Sequence, residues 1–194
     1  MNNFDFLFNS NISPMRHFDP SLYFEHPTLP YTVTVAGYQP RLAGWRKVDE
    51  DTLGELGLRI VLQNTRGTAS PDVALAAGWA GDRMVMLRKG DATSVIWLLA
   101  FRDPESASRF SGVYRKVLDH LHGHPAAHRV ELKRSAVLVV AGEAADHYDR
   151  LGPAVWKAST IAPPPPAITP DNPSLHASAP PASLTRPRRL AAAY

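Results

Sequence analysis

The stretch Ala76-Ala-Gly-Trp-Ala-Gly-Asp-Arg83, together with Leu53-Gly-Glu-Leu-Gly-Leu-Arg59 upstream of it, decides how the chain is interpreted. In the downstream stretch two glycines flank a tryptophan, and an acid and an arginine follow. This combination is typical of a tight junction between two elements, because turn geometry selects these residue types. We therefore interpret Trp79, Gly81, Asp82 and Arg83 as a structural motif.

Three residue types in this motif have predicted roles. Gly78 and Gly81 are expected to supply positive φ angles, which glycine adopts without strain. The ring of Trp79 is expected to fill the junction between a helix and the sheet. Asp82 is expected to accept hydrogen bonds from the amides of the turn.

Two helices are predicted before the motif. Thr52-Leu-Gly-Glu55 has the form of a capping box, in which the Thr52 hydroxyl and the Glu55 carboxylate accept the first free amides of a helix. Arg83 is expected to pair with a carboxylate such as Glu55. A second helix is predicted to begin at Ser70, because Pro71 suits the first helical position.

The remaining chain alternates between strand-like and helical patterns. Apolar residues alternate or run together in the predicted strands and recur every three or four residues in the main helix. The predicted elements are strands over 83–88 and 94–101, a helix from Asp103, strands over 129–133 and 136–140, and a helical segment over 143–156. The sequence thus predicts an α+β fold: a small antiparallel sheet in the order β-β-α-β-β-α, preceded by two helices, with helices on one face of four strands.

The two ends of the chain differ in composition from its middle. Residues 1–40 hold eight of the thirteen Phe and Tyr residues, and half of the 18 prolines lie beyond Ile161. Since proline disfavours helix, both ends are predicted to be extended. The predicted organisation is an aromatic and Pro-rich arm over 1–44, an α+β domain over 45–158 and a Pro-rich tail over 159–194.

The motif and its surroundings resemble the C-terminal α+β module of bacterial metallopeptidase-like proteins. The resemblance covers roughly residues 12–156 and includes Gly44-Trp45, the Leu53-Gly-Glu55 helix start, the Gly-Trp-x-Gly-Asp-Arg element and Trp97. In that family the module follows a helical domain with a His-Glu-x-x-His zinc helix, and this sequence contains no such helix. The resemblance implies fold and ancestry more than activity.

Composition and charge narrow the function classes. A net charge of +3, from 21 basic and 18 acidic residues, is too balanced to indicate a nucleic-acid-binding protein. The absence of cysteine excludes disulfides and thiolate metal sites. No segment approaches the ~18 apolar residues of a membrane span, and the N-terminus does not resemble a signal peptide. We expect a cytoplasmic protein without a transmembrane segment, which leaves peripheral association with a membrane complex open.

A histidine cluster is the best candidate for chemistry. His120, His122, His124 and His128 lie within nine residues and could in principle bind a transition metal. Their place at a helix end and in a polar loop favours a solvated segment instead, so we predict no metal, no cofactor and no catalytic residue. The acid run over 49–51 is likewise interpreted as charge ahead of a helix start.

These observations lead to a non-catalytic accessory or structural subunit that docks onto a larger multi-subunit protein complex through its terminal arms. The predicted partner-binding residues are the aromatic side chains Phe4, Phe6, Phe8, Phe18, Tyr23 and Phe24. Folding of the arm back over its own domain is the competing interpretation, and under the docking hypothesis the fragment 45–158 folds alone. The alternative functions are a ligand-binding or regulatory module acting with a separately encoded metallopeptidase and, more weakly, a metal-dependent enzyme using the His120–His128 cluster.

Overall fold

The computed structural model describes residues 29–63, 74–122 and 128–165. The strands in these ranges are β1 (Thr32–Thr34), β2 (Arg46–Asp51), β3 (Trp79–Lys89), β4 (Ala92–Phe101), β5 (His128–Lys133), β6 (Ala136–Ala141) and β7 (Thr160–Ala162). The helices are α1 (Gly54–Gln63), α2 (Ala74–Ala77), α3 (Pro104–His122) and α4 (Tyr148–Ala158), with 3-10 turns at Gln39–Arg41 and Glu143–His147. The predicted start of the second helix at Ser70 lies outside the described residues.

Five of the strands form an antiparallel sheet in the order β2-β3-β4-β6-β5. Two hairpins build most of it: β3 and β4 meet at Gly90, whose φ is +58°, and β5 and β6 meet at Arg134, whose φ is +53°. The predicted α+β class with a small antiparallel sheet is confirmed. The sheet has one strand more than predicted, because the acidic run over 49–51 belongs to β2 rather than to a helix start. Five of the six β2 residues are charged, so no apolar alternation marks the strand.

Both faces of the sheet are covered, whereas the sequence predicted helices on one face only. On one face α1, α2 and α3 pack over apolar side chains of β3, β4 and β6, with an aromatic group formed by Trp97, Phe110 and Tyr114. The Phe110 and Tyr114 rings stack with their centroids 5.1 Å apart. On the other face lie α4, β1 and the chain around Leu42. The sheet therefore forms the middle of three layers.

A two-stranded pair of β1 and β7 moves both predicted domain boundaries outward. Thr32 is opposite Ala162 and Thr34 is opposite Thr160. Residues 29–44 were assigned to the arm, but Val33, Tyr38 and Leu42 are buried in the second face's core. The predicted tail likewise contributes β7. These segments pack on the domain because their few apolar side chains complete a face that would otherwise be exposed to water.

The two edges of the five-stranded sheet are protected against pairing with further strands. At one edge β2 is highly charged and has a register shift between Lys47 and Asp49. At the other edge two carbonyl groups of β5 accept from arginine side chains: Arg115 donates to the Val130 oxygen at 3.0 Å, and Arg129 donates to the His128 oxygen at 2.9 Å. Charges and bulges at edges are common protections against edge-to-edge association.

Each helix in the described ranges is either too short or too polar to span a lipid bilayer.

The boundary shift changes the expected behaviour of fragments. The fragment 45–158 is expected not to fold, because residues 29–44 belong to the domain core, so that the docking hypothesis is left with residues 1–28 of the predicted arm. The fragment 29–165 should unfold cooperatively. Removing residues 29–44 deletes four buried side chains, Val33, Val35, Tyr38 and Leu42. Each contributes about 1.5–3 kcal/mol, which together approaches the about 5–15 kcal/mol stability of a whole domain. Urea titration followed by far-UV circular dichroism checks this, and a cooperative transition in 45–158 would contradict it.

Candidate functional site

The most connected polar group in the described structure is the carboxylate of Asp82, on β3. The residue is 3% exposed and accepts four hydrogen bonds. Its Oδ1 atom accepts from the Gly54 amide at 3.0 Å and from the Trp79 indole at 3.0 Å. Its Oδ2 atom accepts from the Leu53 amide at 3.0 Å and from the Trp97 indole at 2.9 Å. One buried carboxylate thus joins the start of α1 to both strands of the central hairpin.

Asp82 caps α1 from another element, and this corrects the predicted capping box. The amides of Leu53 and Gly54, at the helix start, point to Asp82 rather than to Thr52. The Thr52 hydroxyl instead donates to the Asp82 main-chain oxygen at 3.1 Å. A negative group at a helix N-terminus is stabilised by the partial positive charge there. The sequence predicted that Asp82 accepts amides, but the amides belong to a segment 28–29 residues away.

The glycines of the motif are required for space rather than for backbone angle. Neither Gly78 nor Gly81 is among the glycines with positive φ, which are Gly37, Gly44, Gly54, Gly90 and Gly142. A Cβ atom on Gly81 would lie 2.5 Å from the main-chain oxygen of Tyr31, and one on Gly78 would lie 2.5 Å from the Ser106 side chain. The close approach of Tyr31 to Gly81 is what seats the chain entering β1 against β3.

Arg83 pairs with a different acid from the one predicted. Its Nε atom lies 3.6 Å from Glu50 Oε1 on β2 and 3.5 Å from the Val33 main-chain oxygen on β1. Glu55 is instead paired within α1 with Arg59 at 2.8 Å. The reason is register: Glu50 is opposite Val85 on β3 and shares a sheet face with Arg83. The acidic partner of Arg83 therefore lies on β2, a strand that the sequence did not predict.

The Asp82 site has the character of a structural joint. Both carboxylate oxygens are directed at donors of the protein itself, two indole and two main-chain N–H groups. Trp79 is half-buried against the helical face and Trp97 is fully buried. A carboxylate with four internal hydrogen bonds fixes geometry, since each bond to a charged group contributes about 1.5–3 kcal/mol.

The histidine cluster falls only in part within the described structure. The side chains of His120 and His122 and the whole of His124 lie outside it. His128 begins β5, is 4% exposed, and its Nε2 atom lies 3.1 Å from Asp119 Oδ1 on α3. The prediction of a solvated loop is therefore wrong for His128, which packs between α3 and the sheet edge. Across residues 29–63, 74–122 and 128–165, no three His, Asp or Glu side chains are arranged to hold a metal ion.

A second polar cluster, which the sequence analysis missed, joins α4 to β5. Glu131 Oε2 accepts hydrogen bonds from the Tyr148 hydroxyl and, at 2.8 Å, from the Trp156 indole. Lys133 lies 3.3 Å from Glu131 Oε1 and 4.8 Å from the centre of the Trp156 ring. Burial acts to raise the pKa of Glu131, but these three donors outweigh it and lower that pKa. The signal in the sequence that could have predicted this cluster was a charged residue at every second position of β5, namely Arg129, Glu131 and Lys133.

The comparisons with known proteins identify a family for the part of the chain that contains the five-stranded sheet. Residues 40–152 match DUF8575, described as a domain of unknown function. The chain belongs to this family. No curated protein and no solved structure matches the chain.

The DUF8575 match spans all five strands of the main sheet and the complete Asp82 network. It excludes β1 and β7, which lie on either side of residues 40–152. The predicted partner-binding aromatics, from Phe4 to Phe24, lie outside both the match and the described residues. The DUF8575 region therefore contains the joint, and the flanking segments contain the predicted docking residues.

The Asp82 network can be tested by changing one atom. Asp82→Asn replaces an acceptor oxygen by an amide that faces two donors, so two buried donors lose their acceptor. At about 1–3 kcal/mol for each, we expect the free energy of unfolding to fall by about 2–6 kcal/mol. The control is Asp103→Asn at the start of α3, where Asp103 accepts from the Ser106 amide and hydroxyl and Asn caps as well as Asp. Equal losses in urea titrations of the two variants would contradict the assignment.

His128 gives the stability a predictable pH dependence. Burial lowers the pKa of His128 in the folded protein despite the opposing charge of Asp119, while the unfolded chain keeps the ordinary value of 6.5. The unfolded state then binds the proton more readily, so the contribution is present above pH 6.5 and is lost as the pH falls below it.

His128→Gln should reduce this pH dependence and should cost about 1–3 kcal/mol at pH 8, where the histidine is neutral. Urea titrations of both proteins between pH 8 and pH 5 check the expectation. An unchanged slope of stability against pH in the variant would show that another group is responsible.

Proposed function

We propose that this protein is a non-catalytic accessory subunit that docks onto a larger multi-subunit protein complex through the segments flanking its DUF8575 domain. The observation that carries the proposal is the use of the motif residues within the fold. Asp82 directs both of its oxygens at internal donors, and Gly81 accommodates Tyr31. The most specific residues of the sequence thus hold the domain together.

The surfaces of the domain also support docking through the flanking segments. Both faces of the five-stranded sheet are covered by other elements, and both of its edges are protected by charge. Only three large hydrophobic side chains of the described chain are exposed: Leu29, Leu56 and Leu132. Aromatic residues are enriched at protein interfaces, and residues 1–28 supply six of them.

The metal-enzyme alternative has less support. It needs several imidazoles of the His120–His128 cluster, and one of these, His128, is buried with its Nε2 atom against Asp119. The same proposal includes a protein partner, rather than nucleic acid, and a cytoplasmic location. Both of these rest on the sequence.

The docking residues can be tested in the full chain. Replacing the six aromatics Phe4, Phe6, Phe8, Phe18, Tyr23 and Phe24 by Ser should release the protein from its complex. Size-exclusion chromatography of native extracts, with the protein detected by immunoblot, measures the shift. Under the docking proposal these side chains do not contribute to the fold of the domain, so the free energy of unfolding should change by less than about 0.5 kcal/mol.

The matched control carries Leu56→Ser and Leu132→Ser on the body of the domain and should stay assembled. Loss of stability in the six-serine variant would show that the segment packs on its own domain. Co-purification with a metallopeptidase alone would favour the regulatory alternative.

A further inference from the structure

The pairing of β1 with β7 determines where the two terminal segments leave the domain. The strands are antiparallel, with Thr32 opposite Ala162, so the chain before β1 and the chain after β7 depart from the same end of the pair. Leu29 lies three residues before Thr32, and Pro164 lies two residues after Ala162. At about 3.3–3.6 Å per residue and about 5 Å across the pair, Leu29 and Pro164 are at most about 25 Å apart.

This end is tied to the main sheet at Tyr31, whose amide donates to the Ala80 oxygen of β3 at 2.7 Å. The opposite end of the β1–β7 pair is closed by the Thr34 and Thr160 hydroxyl oxygens, which lie 2.7 Å apart, and by the Ala36 amide, which donates to the Ser159 hydroxyl at 3.1 Å. The two departure points are thus fixed relative to each other before any partner binds.

The same end carries the most exposed large hydrophobic side chain of the described structure. Leu29 is 60% exposed, compared with 37% for Leu56 and 38% for Leu132. Pro30 is exposed next to it in the chain, and Ala162 and Pro163 are exposed at the end of the paired strand β7 and just after it. We call Leu29, Pro30, Ala162 and Pro163 the exit patch.

The two flanking segments differ in the chemistry of their side chains. Residues 1–28 contain six aromatic side chains, with Asp5, Asp19 and Glu25 against one arginine. Residues 166–194 contain Asp171 as their one acid, against Arg186, Arg188 and Arg189. One segment is therefore aromatic and acidic, and the other is proline-rich and basic.

We propose that a single protein partner binds the exit patch together with the chain on both sides of it. The partner presents an apolar groove for the aromatic segment and an acidic patch, adjacent to the groove, for the arginines of the tail. This inference rests on the proposed function and adds that both segments engage one polypeptide. Two segments leaving one fixed point bind as a linked pair, and linkage of this kind raises affinity by about 10²–10⁴ without new contacts.

The experiment uses the full chain with the photo-crosslinking residue p-benzoylphenylalanine placed at Phe24 in one variant and at Ile168 in another. After irradiation of native extracts, mass spectrometry identifies the crosslinked polypeptides. Both positions are expected to crosslink the same polypeptide. Leu29→Asp should weaken binding of that purified partner about ten- to a hundredfold, as expected for losing one buried leucine. Leu132→Asp, a change at another exposed leucine, should leave binding unchanged.

The outcomes separate the two proposals. Crosslinks from the two positions to different polypeptides would overturn the single-partner inference and leave the docking function standing. Equal effects of Leu29→Asp and Leu132→Asp would also overturn it, provided that urea titration shows both variants folded. Crosslinks only within the chain, from a protein that elutes free of any complex, would overturn both.

Discussion

The carboxylate of Asp82 is the interaction on which the rest of the structure depends. It is buried, and a buried carboxylate is tolerated only when its acceptor capacity is filled. Filling it requires three groups to lie within hydrogen-bond distance of the Asp82 oxygens: the Gly54 amide at the start of α1, the Trp79 indole of β3 and the Trp97 indole of β4. Trp97 in turn meets Phe110 and Tyr114 of α3, with ring centroids 6.2 and 5.6 Å from its own. The Asp82 carboxylate thus positions α1 directly, and it positions α3 through Trp97 of β4.

The sequence predicted the elements that have strong periodicity and missed those that do not. The hairpin of β3 and β4, the long helix α3 and the hairpin of β5 and β6 carry clear apolar patterns, and all were predicted. β2 was missed because its side chains are charged and it is stabilised by pairing with β3. The alternation Thr32-Val-Thr-Val35 allows a short strand, and β1 forms there. β7 was missed because its three residues are too few for a pattern to be recognised, and it depends on pairing with β1.

The roles within the motif were predicted with less success than its structural character. Residue type showed that Asp82 would accept amides and that Arg83 would pair with an acid. It did not show which amides or which acid, because the partners lie on α1 and on the unpredicted β2. Glycine at positions 78 and 81 could be explained either by a positive φ angle or by a lack of room for a Cβ atom. The close contacts with Ser106 and Tyr31 show that the lack of room is the reason. A local pattern fixes what a residue can do, while the tertiary fold selects its partner.

The β1–β7 pair also has a consequence for how the protein is made. Thr34 and Thr160 bond across 126 residues of sequence. Contacts between such distant residues form late, because a long loop must close first. During translation β1 leaves the ribosome long before β7 exists, since chains emerge at about 5–20 residues per second. Val33 and Tyr38 can therefore be locked into the core only after β7 has been synthesised. Until then the nascent domain is incomplete and has one open face, the stage at which chaperones would be most needed.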